Sequence, residues 1–216
     1  MAIGTIVRVW QETPRLHGVA VDVDFGDTHA RPGQYVKVEV GQHATDASSK
    51  QVIPLALATA PGVRPVELLF DASARPQVAA GERIDLGSPE GRGFDLDSFA
   101  GLDILVFAVG SAMSAARAVL DAITARRAEF GRVTFFYGAR SELEHAYRER
   151  DPLWTAARID VRRSTDLDWV QDRFRAAPVP LENAVALVVG LPEMERAVRE
   201  VLVAHGLRAD RIFSNF

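Results

Sequence analysis

The chain has 216 residues, of which 48% are hydrophobic and 25% charged, so its composition is that of a globular protein with room for one large domain or two small ones. The formal net charge of −4 gives no overall attraction to nucleic acid, and no nucleic-acid partner is expected. The absence of cysteine excludes disulfides, thiolate metal ligands, cysteine-ligated iron–sulfur clusters and a cysteine nucleophile.

The first part of the chain, from residue 3 to about 88, has an apolar period of two in short runs separated by turn residues. These runs are IVRVW, HGVAVDVDF, QYVKVEV, VELLFDA and RIDLGS. Short strands at close spacing predict an antiparallel barrel or sandwich. The stretch VIPLALATAP at residues 52–61 taken by itself has the composition of one more apolar strand.

The N-terminal pattern alternates like a strand, so a signal peptide is not expected. No apolar run approaches the roughly 20 residues of a membrane-spanning helix. A cytoplasmic location is therefore the default expectation.

The pattern changes after about residue 100. DILVFAVG is a nearly continuous apolar run, as expected for a strand buried on both faces of a parallel sheet. A helical pattern follows, with Ala115, Val119, Ala122 and Ile123 on one face. Strand-like and helix-like segments then alternate: RVTFFYGAR, a helix around LEHAYRERD, RIDVRRST, a helix around DWVQDRFRAA, AVALVVG, the helix EMERAVREVLVAHG, and DRIFSNF.

This alternation predicts a Rossmann-like, doubly wound parallel sheet. Two domains are therefore expected, an antiparallel β-barrel at residues 1–99 and an α/β domain at residues 100–216. The boundary is placed near Phe99 to Gly101.

Ligands of open parallel sheets bind beyond the carboxyl ends of the strands, so the strand-to-helix turns are the candidate site. In the first turn Gly110 permits a sharp bend, and Ala112 and Met113 follow it. Ser111 and Ser114 could cap the helix or contact a phosphate, and both helix capping and dinucleotide binding are open.

The second and third turns are equally open to two interpretations. Gly138 ends one strand and is followed by Arg140 and Ser141, which suit either a ribose or its 2′-phosphate, or an exposed loop with a helix cap. Gly190 ends another strand, and a proline at an early helical position is also favoured for structural reasons alone. The candidate residues of the third turn are Gly190, Pro192 and Met194.

The five histidines show no metal-ligand spacing, and each is expected at the surface. They are His17, His29, His43, His145 and His205. No metal site and no hydrolytic nucleophile elbow are expected.

Five segments, taken in chain order, resemble the ferredoxin–NADP reductase superfamily of flavin- and nicotinamide-dependent oxidoreductases. They cover nearly the whole chain: RPGQYVKVEV, GSPEGRGFDL, FAVGSAMSAARAVL, FFYGAR and VVGLPEMERAVREVLVAHG. The resemblance implies a flavin-binding barrel followed by a nicotinamide-binding α/β domain.

The same resemblance places a flavin platform at Pro54, Leu55, Ala56 and Leu57. Where the family has an arginine, a tyrosine and a serine, this chain has Ile53, Leu55 and Ala56. The second flavin-phosphate segment, near DASARPQVAAGE, is shortened and retains only Ser73 and Arg75 as candidates.

On the nicotinamide side, the resemblance places the nucleotide on residues 110–113, on Gly138 and Arg140, and on Gly190, Pro192 and Met194. Ala112 and Ala115 replace a glycine and a proline of the family pattern, and Val189 replaces a cysteine or serine. Phe216 corresponds to the family's C-terminal aromatic residue, although a core position in the last strand is the alternative.

Three functions are open. The first is an NAD(P)H-dependent flavin oxidoreductase in which the reduced form of NADP or NAD (NADPH or NADH) donates a hydride to FAD, and the flavin passes electrons to a protein or small-molecule acceptor. The second is a degenerate homologue without flavin that acts as a scaffold or regulator. The third is a nucleotide-binding module without redox activity. Arg140 weakly favours NADPH.

Overall fold

The computed structural model describes residues 2–41, 50–71, 78–166 and 168–215. These residues form an antiparallel sheet of six strands followed by a parallel sheet of five, which confirms the expected fold class. None of the helices in the described ranges has the length and apolar character needed to cross a bilayer. The domain boundary near Phe99 falls between the two sheets and remains a prediction.

The first sheet has the strand order β4-β3-β6-β1-β2-β5. It closes into a barrel where the chain after β4 reaches β5, because the backbone N–H of Ala58 donates to the carbonyl oxygen of Glu67 at 2.8 Å. Apolar side chains of all six strands fill the interior. The strands are β1 (Ala2–Gln11), β2 (Leu16–Asp22), β3 (Tyr35–Gly41), β4 (Lys50–Ala56), β5 (Val66–Asp71) and β6 (Arg83–Leu86).

The second sheet has the order β11-β10-β7-β8-β9, with every neighbouring pair parallel. The predicted helical face is confirmed in α1, where Ala115, Val119 and Ile123 are fully buried. The elements are β7 (Asp103–Val109), α1 (Met113–Ala125), β8 (Val133–Gly138), α2 (Asp151–Ala156), β9 (Ile159–Ser164), α3 (Val170–Ala176), β10 (Ala184–Val189), α4 (Pro192–Ala204) and β11 (Ile212–Ser214).

The helix expected around residues 143–151 is wrong in position. The chain forms two short 3-10 turns there, Glu142–Glu144 and Arg148–Arg150, and α2 begins only at Asp151. Tyr147 between the turns has φ +53°, a left-handed conformation that interrupts a right-handed helix. The proline that follows Asp151 then favours a new helix start.

Packed between the barrel and the parallel sheet, α1 belongs to a core shared by both parts of the chain. This core joins the α1 face to barrel residues such as Leu16 and Leu69, and to Phe94 and Phe99 of the connecting segment. The barrel interior and the other face of the parallel sheet form separate cores. The start of α1 is therefore held in place by both sheets.

Polar contacts also link the two sheets at three places. The first joins Arg117 of α1 to Glu67 of β5. In the second, the turn after β1 meets the loop before α2, where Thr13 Oγ1 donates to Glu144 Oε2 at 3.1 Å and the N–H of Tyr147 donates to Glu12 Oε1 at 2.6 Å. In the third, Asn215 Nδ2 donates to the Gly33 carbonyl oxygen at 3.0 Å.

Candidate functional site

The strand order of the parallel sheet reverses between β7 and β10, so the crevice at their carboxyl ends is where this class of sheet binds ligands. Register brings the three predicted turns together there, because Val109 pairs with Gly138 and Ala108 pairs with Val189. A Cβ on Gly138 would lie 3.3 Å from Val109 Cγ1, and one on Gly190 would lie 3.0 Å from Val109 Cγ2. Val109 thus separates the second and third turns.

Gly110 opens the first turn with φ +53°, a conformation that favours glycine. A Cβ placed on Gly110 would meet no atom within 4 Å, so the space above it is open. The Tyr137 hydroxyl donates to the Gly110 carbonyl oxygen at 3.0 Å. Since burial raises the pKa of Tyr137 to about 12, this hydroxyl is a donor throughout the neutral range.

The start of α1 has no side-chain cap, so neither Ser111 nor Ser114 takes the capping role that the sequence left open. The N-cap residue is Ala112, Ser111 is exposed, and Ser114 is buried in the first turn. Capping requires a side-chain oxygen at the N-cap position, and alanine stands there. The first N–H groups of α1 therefore have no side-chain acceptor at that position.

Among the four α-helices that the described residues form, only α1 has no carboxylate in its first turn. The other three carry Asp151 in α2, Asp172 in α3, and Glu193 with Glu195 in α4. Because a carboxylate already satisfies the positive end of a helix and repels another anion, a pyrophosphate is favoured at α1.

The third turn, at Gly190, is covered by the side chain of Met194. A Cβ on Gly190 would lie 2.6 Å from Met194 Cε, so the methionine folds back across the glycine. Pro192 begins α4 and is exposed, whereas Val189 is buried in the core. Met194 and Gly190 thus present a small apolar surface at the crevice.

In the second turn Gly138 is buried, whereas Arg140 and Ser141 are exposed. Ser141 makes no side-chain cap to the short turn that follows. Arg140 has no hydrogen bond or ion pair with any residue in the described ranges. Its guanidinium is available to a ligand beyond the sheet edge.

The residues predicted to form the flavin platform lie on two different sides of β4 and of the segment that follows it. Ile53 and Leu55 lie opposite Val38 and Val36 and pack against the barrel core. Directly paired residues of antiparallel strands share a face, so these two side chains lie on the inner side. Leu57 is also fully buried.

The outer side of β4 is formed by Pro54 and Ala56, which lie opposite Lys37 and Tyr35 of β3. Lys37 Nζ is 2.9 Å from Glu90 Oε2, and the Tyr35 hydroxyl donates to the same oxygen at 3.3 Å. The hydrogen bond raises the pKa of Lys37 and lowers that of Glu90. The cation on this face is therefore already paired.

These side chains can contact the flat ring of a flavin, but the described part of the platform offers no unpaired cation to its pyrophosphate. The remaining predicted contacts, Ser73, Arg75 and Phe216, lie outside the described residues. The described part of the platform thus fits the ring and supplies no cation to the diphosphate.

The expectation that all histidines lie at the surface is wrong for two of them. His29 is 5% exposed and His145 is 3% exposed. The ring of His145 is held by a 2.8 Å contact between Nε2 and the carbonyl oxygen of Ser164 and by packing on Tyr137. Burial lowers the pKa of His29 to about 4, so its ring is neutral. His43 lies outside the described residues.

Sequence reasoning also missed Arg117, which stands among alanines in the first half of α1. Its side chain is 3% exposed and contacts Glu67, while its guanidinium carbon lies 4.3 Å from the centre of the Tyr147 ring. The available signal was a single arginine on an otherwise apolar helical face, AARAVL. A buried charge in such a place needs a partner from another element.

An antiparallel barrel followed by a parallel α/β sheet, with a glycine turn at the strand-order reversal, is the fold of the ferredoxin–NADP reductase type. Solved structures share it: the flavohem-like FAD/NAD binding domain of a nitric oxide dioxygenase from Vibrio cholerae matches with a TM-score of 0.80 and 19% identity, over 99% of this chain and 97% of that chain. A cytochrome P450 reductase from Amycolatopsis matches with a TM-score of 0.82 and 16% identity, over 99% and 68%. These likenesses confirm the fold.

Sequence relatives support the same resemblance. The chain is 26% identical over 211 residues to the sulfhydrogenase 2 subunit gamma of Pyrococcus furiosus, covering 85% of this chain and 70% of the relative. It is 27% identical over 145 residues to the sulfhydrogenase 1 subunit gamma of the same organism, covering 62% and 50%. No protein-family model matches the chain.

Proposed function

We propose that the chain is an NAD(P)H-dependent flavin oxidoreductase of the ferredoxin–NADP reductase type. The observation that carries this proposal is the open turn above Gly110 at the start of α1, whose first turn contains no carboxylate. It lies at the strand-order reversal, where a dinucleotide is expected to bind. The α/β part binds the nicotinamide nucleotide, and the barrel part faces the flavin.

In this proposal the backbone N–H groups of residues 110–112 bind the pyrophosphate of NADH or NADPH, because the N–H of Met113 already donates to the Gly110 carbonyl oxygen. The guanidinium of Arg140 faces the ribose or its 2′-phosphate. Gly190 and Met194 bound the nicotinamide end with an apolar surface, and the Tyr137 hydroxyl fixes the Gly110 carbonyl oxygen so that the turn keeps its shape.

A bound flavin would supply the hydride acceptor and pass electrons onward. The residues that face its ring are Pro54 and Ala56, and they contribute contact without charge. Losing a charge-assisted hydrogen bond to the pyrophosphate costs about 1.5–3 kcal/mol, or roughly one to two powers of ten in affinity. We therefore expect flavin to bind more weakly than in reductases that keep the arginine.

The electron acceptor is proposed to be a protein. Both curated relatives are named as subunits of sulfhydrogenases, so each works within a larger assembly. By analogy this chain would be the nucleotide-side subunit of a multisubunit oxidoreductase. Size-exclusion chromatography of the natural complex would show whether the chain elutes with partner proteins.

Flavin binding is tested by titrating purified protein with FMN and FAD and following flavin fluorescence and visible absorption. Saturable quenching with either flavin is the expected result. A colourless protein that quenches neither would contradict the flavin part of the proposal. Stabilisation by NADH or NADPH in the same preparation would then identify a nucleotide-binding protein without flavin.

Nucleotide binding is tested by Gly110→Ala, with Gly26→Ala as the matched control. Both glycines have similar left-handed φ, +53° and +50°, and in both a Cβ meets no atom within 4 Å. Each substitution adds the same backbone strain, about 1–2 kcal/mol, but only Gly110→Ala places a methyl group in the crevice. We expect NADH affinity to fall at least about tenfold in Gly110→Ala alone. Equal affinities in the two variants would contradict the assignment.

A further inference from the structure

The end of the parallel sheet opposite the candidate site contains a groove of about 430 Å³. It is bounded by the first residues of β7, β8 and β9 and by the segment before β10, including Val179 and Pro180. Its volume is in the range of small-molecule sites. Because parallel strands place their amino ends at one edge, this groove is a full strand length away from the turn at Gly110.

The lining of the groove carries four guanidinium groups and two carboxylates, in a chain whose net charge is negative. Two of the arginines are paired: Arg132 with Asp103 at 2.6 Å, and Arg162 with Asp160 at 2.8 Å. Outside the lining, Glu182 also contributes to raising the pKa of Arg132, after the larger effect of the Asp103 hydrogen bond. The other two arginines have no carboxylate partner among the described residues.

The first of these, Arg127, donates to three backbone carbonyl oxygens, those of Ala157, Phe130 and Arg158. Carbonyl groups satisfy its N–H donors but leave its full positive charge uncompensated. Arg127 therefore fixes the groove wall and gives it a positive potential.

The second, Arg158, is exposed, and its side chain makes no hydrogen bond or ion pair with the residues that the structure describes. Its backbone has φ +57°, the left-handed region that strongly favours glycine over a residue with a Cβ. The left-handed backbone ends α2, where the N–H of Arg158 donates to the Thr155 carbonyl oxygen, and the exposed guanidinium, unpaired among the described residues, is available to a ligand.

The apolar part of the lining that a ligand can reach consists of Val179, which is partly buried, and Pro180, which is exposed. We infer that this groove binds a small molecule that has one phosphate or carboxylate group on an apolar or aromatic body. Arg158 binds the anionic group, the potential of Arg127 supports it, and Val179 and Pro180 contact the body of the ligand.

Phenyl phosphate is the probe, followed by two-dimensional amide NMR of the whole chain. We expect saturable shifts at Gly131, Thr134 and their neighbours, and at least about tenfold weaker binding in Arg158→Gly. Glycine accepts the left-handed backbone, so this variant keeps the fold; Arg158→Asn removes the same charge in a residue that also tolerates φ above zero. Arg83→Asn, on an exposed barrel position, is the control for net charge and should bind as the wild type does.

Two further ligands test which parts of phenyl phosphate are recognised: inorganic phosphate lacks the apolar body, and benzoate has a carboxylate in place of the phosphate. Inorganic phosphate should bind at least about tenfold more weakly than phenyl phosphate, and benzoate should shift the same amide signals. The inference is overturned if phenyl phosphate moves no groove signal, if Arg158→Gly binds it unchanged, or if inorganic phosphate binds equally well. NADH-dependent stabilisation should be the same in Arg158→Gly and wild type, so a failure here is distinct from a failure of the proposed function.

Discussion

Replacing Glu67 by glutamine tests the buried ion pair that joins the barrel to α1. Burial by itself would lower the pKa of Arg117, but the hydrogen bond that its guanidinium donates to Glu67, together with the other acidic groups around it, outweighs burial, and the pKa is raised overall. The guanidinium is therefore charged in the folded protein, with 3% of its side chain exposed. Removing the carboxylate leaves that charge without its main partner.

The size of the effect follows from what remains around Arg117. Breaking one side of a buried pair costs about 3–5 kcal/mol when the remaining charge is wholly uncompensated. Here Asp121 Oδ2 remains 3.5 Å from Arg117 Nε, and the Tyr147 ring remains beneath the guanidinium. Each of these offsets about 1 kcal/mol, so we expect Glu67→Gln to lower the free energy of unfolding by about 1–3 kcal/mol.

Urea unfolding followed by tryptophan fluorescence measures this change. The control is Asp22→Asn, which breaks the Arg64–Asp22 pair; its N–O distance is 2.7 Å, but both side chains are about half exposed. An exposed pair contributes at most about 1 kcal/mol. If Glu67→Gln costs no more than Asp22→Asn, the buried pair does not stabilise the contact between the two sheets, and the reasoning from burial is refuted.

Three further predictions concern single residues. Tyr137→Phe removes the donor to the Gly110 carbonyl oxygen and should lower the free energy of unfolding by about 1 kcal/mol and weaken NADH binding in calorimetry; unchanged values in both would remove its role in shaping the turn. Because burial lowers the pKa of His29 from 6.5 to about 4, the unfolded chain binds the extra proton first, so stability should fall between pH 6.5 and 4 by up to about 3 kcal/mol. His29→Gln should lose that part of the pH dependence of the urea midpoint, and an identical profile would contradict the assignment. Arg140→Ala should raise the Kd for NADPH about tenfold more than that for NADH, and an unchanged ratio would show that Arg140 does not face the 2′-phosphate.

Strands and longer helices were predictable because the spacing of apolar residues within each segment already shows which of its faces is buried. The continuous apolar runs of β7 and β10, and the apolar face of α1, correspond directly to the buried central strands and their covering helix. The helix expected around residues 143–151 failed because the left-handed backbone at Tyr147 is held by a distant partner, Glu12. Nothing in the local sequence encodes that contact.

The segments RPGQYVKVEV and GSPEGRGFDL are far apart in sequence but contact each other in the structure. Gln34 Oε1 accepts from the N–H groups of Ala30 and Arg31, and the N–H of Phe94 donates to the Pro32 carbonyl oxygen at 2.8 Å. A Cβ on Gly33 would lie 2.8 Å from the Phe94 ring, which explains the glycine there.

The sequence predicted that the glycine turns lie at the carboxyl edge of the parallel sheet, and register brings them together there. The sequence could not show that Ala112 would be the N-cap in place of a serine. Nor could it show that Lys37 would be paired with Glu90, or that His29 would be buried. Each of these depends on contacts between segments that are distant in the chain.

The three polar links between the sheets, at Arg117, at the turn after β1 and at Asn215, are spread over separate elements. Links on several separate elements oppose rotation of one part against the other more than a single link would. Movement of the α/β part away from the barrel would have to stretch them. The angle between the two halves is therefore set before any ligand arrives, and substrate exchange should proceed by movements of loops rather than by opening of the whole molecule.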